Sequence, residues 1–304
     1  MGQAMARTGT AGRSATPGWG GRRASWLGDA ALIVIFLFLL FPIYWALTMS
    51  LKTQPDTVTW PPKFLFSPTL DNYRVVLGLT QAGGPSGVIQ GSSSIVNSLI
   101  HSLVISIGAL VVSLIVGVPA AYALARYRFR LRDTIAFTFL SFRFAPELLI
   151  IIPVFVVFRD LNLVDTYQGM IWIYQLITLP LIIWIVRGYF EDISREIEEA
   201  SKVDGCSWWG TFLYVAIPLA APGIAAAALL AFIYAWNNFV FVLILGGENT
   251  QTVTLASLNF LGSESAVYGQ LAASIMVGIV PILVLALYAQ RFLVRGLSMG
   301  AVKG

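Results

Sequence analysis

Charge is what this 304-residue chain has least of: 11% of its residues are Asp, Glu, Lys or Arg, against 57% hydrophobic, and its mean hydropathy is +0.79. Soluble domains carry about 25% charged residues, so an ordinary water-soluble fold is excluded and a membrane protein is implied. The single cysteine, Cys206, allows no internal disulfide. The single histidine, His101, has no acidic residue in its apolar run. With no H-E-x-x-H and no nucleophile beside a base, intramembrane hydrolysis lacks its machinery. None of Lys52, Lys63, Lys202 and Lys303 follows a glycine, so the Gly-Lys-Ser/Thr step that cradles nucleotide phosphates is missing. No repeat of the solenoid kind is visible.

What the chain does have is long apolar runs. A hydrocarbon core about 30 Å thick takes roughly 20 apolar residues as helix. Six stretches qualify: Ala31 to Leu51, a run within Ile95 to Leu124, Thr134 to Phe158 interrupted by Arg143 and Glu147, about Thr166 to Val186, one inside Gly205 to Gly247, and roughly Gly269 to Gln290. Lipid offers the backbone no hydrogen-bond partner, so the fold class predicted is all-α integral membrane with six transmembrane helices. The fifth run is long enough for two spans. However, Pro218, Pro222 and Gly223 near its start suit a bend at a helix entrance, and no polar turn marks a hairpin.

Basic residues set the orientation, because Lys and Arg resist translocation. With six spans, fourteen lie on one side and four on the other, namely Lys52, Lys63, Arg74 and Arg159. Both termini are therefore expected in the cytoplasm, and the net charge of +4 calls for no nucleic-acid partner. Residues 1–28, small, polar and basic, read as a disordered cytoplasmic tail before one transmembrane domain at 29–304. Ala31 to Leu51 is too long for a signal-peptide core, and no small-residue cleavage site follows it.

The loop between the fourth and fifth spans breaks the basic rule. It holds Glu191, Asp192, Glu196, Glu198, Glu199 and Asp204 against Arg187, Arg195 and Lys202, although anionic headgroups would repel such a surplus. Ser194 suits a helix N-cap with acidic residues in the first turns. Gly205 sits where the helix would stop in a left-handed turn. The result is a short helix and a sharp corner, with small residues allowing close approach beside the charge of Glu199. A solvated amphipathic loop helix accounts for the same pattern equally well.

Glu199-Ala200-Ser201, three residues, Gly205, nine residues, then Val215-Ala216-Ile217-Pro218 resembles the EAA signature of the membrane subunits of ATP-binding-cassette importers. Ser201, Val215 and Ile217 are conservative departures from it. The stretches Ser67 to Tyr73 ("SPTLDNY"), Asn97 to Leu99, Leu179 to Phe190, Pro218 to Phe239 and Gln290 to Gly304 are similar to the carbohydrate-uptake branch, and within it to the second membrane subunit of the maltose importer. The resemblance covers nearly everything after about residue 30. It implies the type I (MetI-like) fold, a place in the cytoplasmic membrane, and a coupling helix at about 191–212 that docks in a groove on an ATPase. Glu198, Glu199, Ala200, Ser201, Asp204 and Gly205 are its expected coupling residues. It further implies a second homologous permease, two ATP-binding subunits that hold the ATP-Mg, and an extracytoplasmic sugar-binding protein, with no cofactor on this chain. The expected cargo is a mono- or oligosaccharide. Glycerol phosphodiester or polyol cargo, or an ion-coupled carrier using Arg143 and Glu147, are the alternatives.

Along the pathway, Arg143 and Glu147 would share a helix face if the turn before Pro146 holds. Charges at that depth are costly unless paired or wetted, so they form either a structural ion pair or a polar lining for sugar hydroxyls. Asn97, Ser98, His101 and Ser102 form a polar strip in the second span, with His101 read as a hydrogen-bonded packing residue. Trp236, Asn237 and Asn238 offer an aromatic platform and amides for sugar hydroxyls. The two asparagines point about 100° apart on a helix, so one of them faces a cavity. Trp208 and Trp209 read as interfacial anchors. The loops 52–94 and 248–268 exceed ordinary connector length, which predicts a binding role.

Overall fold

The computed structural model describes residues 22–79, 95–142, 144–261 and 267–300, with helices and irregular segments but no β-strand among them. Arg143 and the Gly/Ser-rich tip of the 52–94 loop lie outside the described residues, as do residues 1–21 of the expected tail. The chain forms two units, residues 1–45 and 46–304. The first contains most of α1 (Arg22–Ser50), so helix begins at Arg22 rather than after residue 28.

Among the described residues, five helices are long and apolar enough to cross a membrane: Gly28–Ser50, Ile95–Arg126, Tyr167–Asp192, Trp208–Asn237 and Tyr268–Gln290. They belong to α1, α4 (Ile95–Arg126), α7 (Tyr167–Asp192), the run that ends in α10 (Ile217–Asn237), and α13 (Tyr268–Gly300). The remaining expected span is a bent pair, α5 (Arg132–Phe142) and α6 (Glu147–Asp160), meeting at 92°. Pro146 explains the break. It bars the residue before it from helical geometry, and it serves as the N-cap of α6 with φ −60° and ψ 120°. The turn before Pro146, on which the expected pairing of Arg143 and Glu147 depended, does not continue into α6. Counting the pair as one, the described residues hold six candidate spans.

In unit 46–304, α4 and α7 form the central seam. A Cβ on Gly108 would come within 2.5 Å of the Ile171 side chain, and one on Gly117 within 2.9 Å of Ile182. Ala109, Ser113 and Ala121 are buried on the same helix. Lipid supplies no hydrophobic drive between helices, so such small residues are what let the backbones close. The Ser113 hydroxyl completes the seam, 2.6 Å from Gln175 Oε1 and 2.6 Å from Thr178 Oγ1.

The fifth run is one span, as expected, but not a uniform helix. α9 (Trp208–Gly210) passes through a π turn over Thr211–Ala216 into α10. Pro218 has no N–H to complete an ordinary ladder, and a wide turn ahead of it absorbs the mismatch. α10 then stops at Asn237, and α11 (Val240–Leu245) resumes beyond Asn238 and Phe239. Asn238 has extended geometry, φ −66° and ψ 129°, so the helical spacing expected between the two asparagines does not hold.

At the end away from the acidic loop, α2 (Gln54–Val58), α3 (Asp71–Val76) and α12 (Val253–Ser257) pack over the bundle. The segment "SPTLDNY" acts as a clasp: Asn72 Nδ2 donates to the Ser50 and Lys52 carbonyls at 2.9 and 2.8 Å. The Ser102 hydroxyl accepts from the Val253 N–H at 2.8 Å, so part of the 248–268 loop is built into the fold.

Candidate coupling and pathway sites

The acidic loop folds into α8 (Arg195–Val203). The Ser194 hydroxyl accepts from the Glu196 N–H at 3.3 Å, capping its start as expected. At the other end Gly205 has φ +93°. The N–H of Gly205 reaches the Lys202 carbonyl at 3.1 Å and that of Cys206 the Ser201 carbonyl at 3.0 Å. These two bonds satisfy carbonyls that a helix end leaves open. Ser207 then accepts from the Gly210 N–H at 3.1 Å, so a new helix starts at Trp208, soon after α8 ends at Val203.

Two expected docking residues point inward. Glu198 is 4% exposed. It accepts from Arg126 Nε at 2.7 Å and from the Tyr122 hydroxyl at 2.8 Å, while Arg126 Nη2 donates to the Ile193 carbonyl at 3.1 Å. Ser201 is buried and its hydroxyl meets that of Thr211 at 2.9 Å. Glu198 and Ser201 therefore fasten α8 to α4 and to the π turn; they do not offer themselves to a partner. Trp208 joins this knot too, stacked with Phe212 at 6.2 Å and 6.1 Å from Tyr122. It is thus an internal brace.

Glu199, Ala200, Asp204 and Gly205 are exposed. So are Ile197 and Val203, the latter 88% exposed, which were not picked out from the sequence. Positions 197, 200 and 203 lie three apart, so they form a small apolar stripe flanked by Glu196 and Glu199. The signal was available as helical spacing within "REIEEASKV". The acidic surplus is also resolved: Glu191 pairs with Arg187 and Arg132, Glu198 with Arg126, and Glu196, Glu199 and Asp204 make no ion pair with a described residue. Beside α8 lies a cavity of about 660 Å³ lined by Arg126, Arg132, Glu191, Arg195, Ile197 and Leu219 among others.

A helix bolted to the transmembrane bundle on one face, with an apolar and acidic face left bare, is suited to receive a second protein. The binding-protein-dependent transport system inner membrane component model matches residues 113–299, which include the whole of this corner. The chain belongs to that family. It is a multi-pass protein of the plasma membrane. This permease is 34% identical over 292 residues to the trehalose transport system permease protein SugB of Mycobacterium tuberculosis, covering 94% of this chain and all of that one. It is 31% identical to the trehalose/maltose transport system permease protein MalG of Thermococcus litoralis, over 90% of this chain and 94% of that one. Among solved structures, a chain of a bacterial transporter for import of the acidic polysaccharide alginate superposes with a TM-score of 0.68 at 25% identity, covering 93% and 99% of the two chains.

The structure separates the residues expected along a pathway. Trp236 is 2% exposed and its Nε1 donates to the Gly278 carbonyl at 3.1 Å, so it ties α10 to α13 within this subunit and does not line a pathway. Asn237 is exposed, and its Nδ2 donates back to the Ile233 carbonyl at 2.9 Å. Asn238 is buried and reaches Glu147 Oε2 at 3.2 Å; these two are brought together. Asn97 is exposed near the start of α4, far along the helix from Arg126. Arg143 lies outside the described residues. His101 packs edge-on against Tyr167 at 5.8 Å, and its Nδ1 has no partner among the described residues.

Proposed function

We propose that this permease forms half of the translocation pathway of an ATP-driven sugar importer and receives mechanical work through α8 from a separate ATP-hydrolysing subunit. The α8 end of the bundle is then cytoplasmic, which agrees with its share of the basic loops. The carrying observation is the two-faced α8: Glu198 locked to Arg126 and Tyr122 inside, Val203 and Glu199 bare outside. ATP-Mg would sit on that partner, since this chain has no glycine-lysine phosphate loop. A second homologous permease, a second ATP-binding subunit and an extracytoplasmic sugar-binding protein complete the assembly. Sugar as cargo is supported by the relatives named for trehalose and maltose transport. ATP binding can drive the change of access only through a difference in affinity between the two conformations.

The test is Glu199→Lys. Because Glu199 makes no ion pair with a described residue, the variant is expected to insert and fold normally, yet to lose ATP-driven uptake. Normal uptake by Glu199→Lys, at equal membrane abundance, would contradict the docking role. Uptake that survives collapse of ion gradients while ATP is present separates the importer from an ion-coupled carrier.

A further inference from the structure

Two of the permease's spans are interrupted, and the interruptions meet. α5 ends at Phe142 and α6 begins at Glu147, with Ala145 and Pro146 in neither helix, and α10 and α11 break at Asn238 and Phe239. Glu147 at the start of α6 and Asn238 at the end of α10 bridge them. Non-helical backbone at membrane depth is tolerated where it is packed in protein or lines a polar cavity, and paired helix breaks are where solutes are bound.

A pocket of about 150 Å³ lies at this junction, lined by Phe142, Glu147, Ile150, Ile177, Tyr234 and Phe241 among others. Phe142 and Tyr234 are exposed, so it opens to the outside of the chain. A water occupies about 30 Å³ of liquid, so the space suits one edge of a sugar ring. The orientation of the Asn238 amide is fixed, because its Oδ1 accepts from the Phe241 N–H at 3.1 Å and Nδ2 must then turn to Glu147. That leaves the carboxylate as an acceptor with further lone pairs, and the amide with a second N–H. Tyr174 is fully buried in ring contact with the pocket-lining Phe241, and its hydroxyl has no partner among the described residues. A buried polar group left so requires an explanation. No group of three metal-ligating side chains occurs among the described residues.

The geometry points to a sugar-hydroxyl subsite contributed by this subunit: Glu147 accepts from ring hydroxyls, Asn238 holds Glu147 in place, and Phe142, Tyr234 and Phe241 pack on the ring's C–H surface. This rests on the sugar reading above.

The test uses proteoliposomes carrying the complete importer with its binding protein, ATP, and radiolabelled trehalose, maltose and their monodeoxy analogues. The wild-type chain should carry at least one deoxy analogue ten-fold more slowly than its parent sugar. Glu147→Gln should lower uptake of the parent to the analogue's rate, reducing the difference to within two-fold. The binding protein discriminates equally in both assays, so the change isolates this subunit. Ile150→Trp, which fills the pocket, should lower uptake of the parent sugar at least ten-fold while the complex still elutes intact on gel filtration. Undiminished discrimination by Glu147→Gln, or normal uptake by an assembled Ile150→Trp complex, overturns the subsite while leaving the importer reading in place; the second result decides if Glu147→Gln fails to assemble. A wild-type importer that accumulates neither sugar refutes the disaccharide cargo on which this form of the subsite rests, and the subsite with it.

Discussion

Glu198 and Glu199 are neighbours of the same chemistry, yet the helix turns them about 100° apart, and everything else follows from which way each points. Glu198 is buried against Arg126, whose side chain is nearly as inaccessible. Removing one member of a buried ion pair leaves the other uncompensated and costs about 3–5 kcal/mol, whereas replacing both with apolar residues is often neutral. Arg126→Met is therefore expected to lower the permease's unfolding free energy by about 3–5 kcal/mol, and the double variant with Glu198→Leu to recover most of it. Denaturation in detergent, run as a double-mutant cycle, measures this; additive losses would argue against the pairing. The spacing of Glu199, Ala200, Ser201 and Gly205 was legible in the sequence. The inward turn of Glu198 was not, because its partner lies 72 residues away and no local pattern reports on it. Ser201 hides because the corner folds back: its hydroxyl bonds Thr211, ten residues on.

At the scale of elements, the local signals that worked were those with a local cause. Ser194 as a cap and Gly205 as a left-handed stop depend on backbone within a few residues, and both were readable. Gly205→Ala should cost about 1–2 kcal/mol, the penalty of a Cβ in a left-handed conformation, with Gly205→Asn milder because asparagine tolerates that region. Thermal unfolding of the two variants checks the order, and an alanine variant as stable as wild type would show that the corner relaxes freely. The α5–α6 break was half visible, since Pro146 marked it but its sharpness depends on packing. The α10–α11 break was not visible. Neither Asn238 nor Phe239 is a helix breaker by propensity; the interruption is held by Asn238 bonding the Phe241 N–H and by Thr254 donating to the Asn238 carbonyl at 3.3 Å. Trp236 read as lining and is core, because its aromatic surface is spent on α13.

For the whole molecule, hydropathy carried most of the architecture, since lipid leaves the backbone few options. On the proposed function, work arriving on the outer face of α8 would pass through Glu198 and Arg126 into α4, and through the tight α4–α7 seam into the bundle. Such a route needs a rigid lever, and the ion pair, the Ser201–Thr211 contact and the aromatic knot around Tyr122 supply it. The most direct measurement is thiol cross-linking in native membranes, with Cys206→Ser removing the only native cysteine and Val203→Cys or Leu161→Cys as single probes on exposed positions. Position 203 should cross-link to an ATP-hydrolysing partner with a yield that changes when ATP is added, and position 161 should not. An ATPase captured at 161 and absent at 203 would contradict the account.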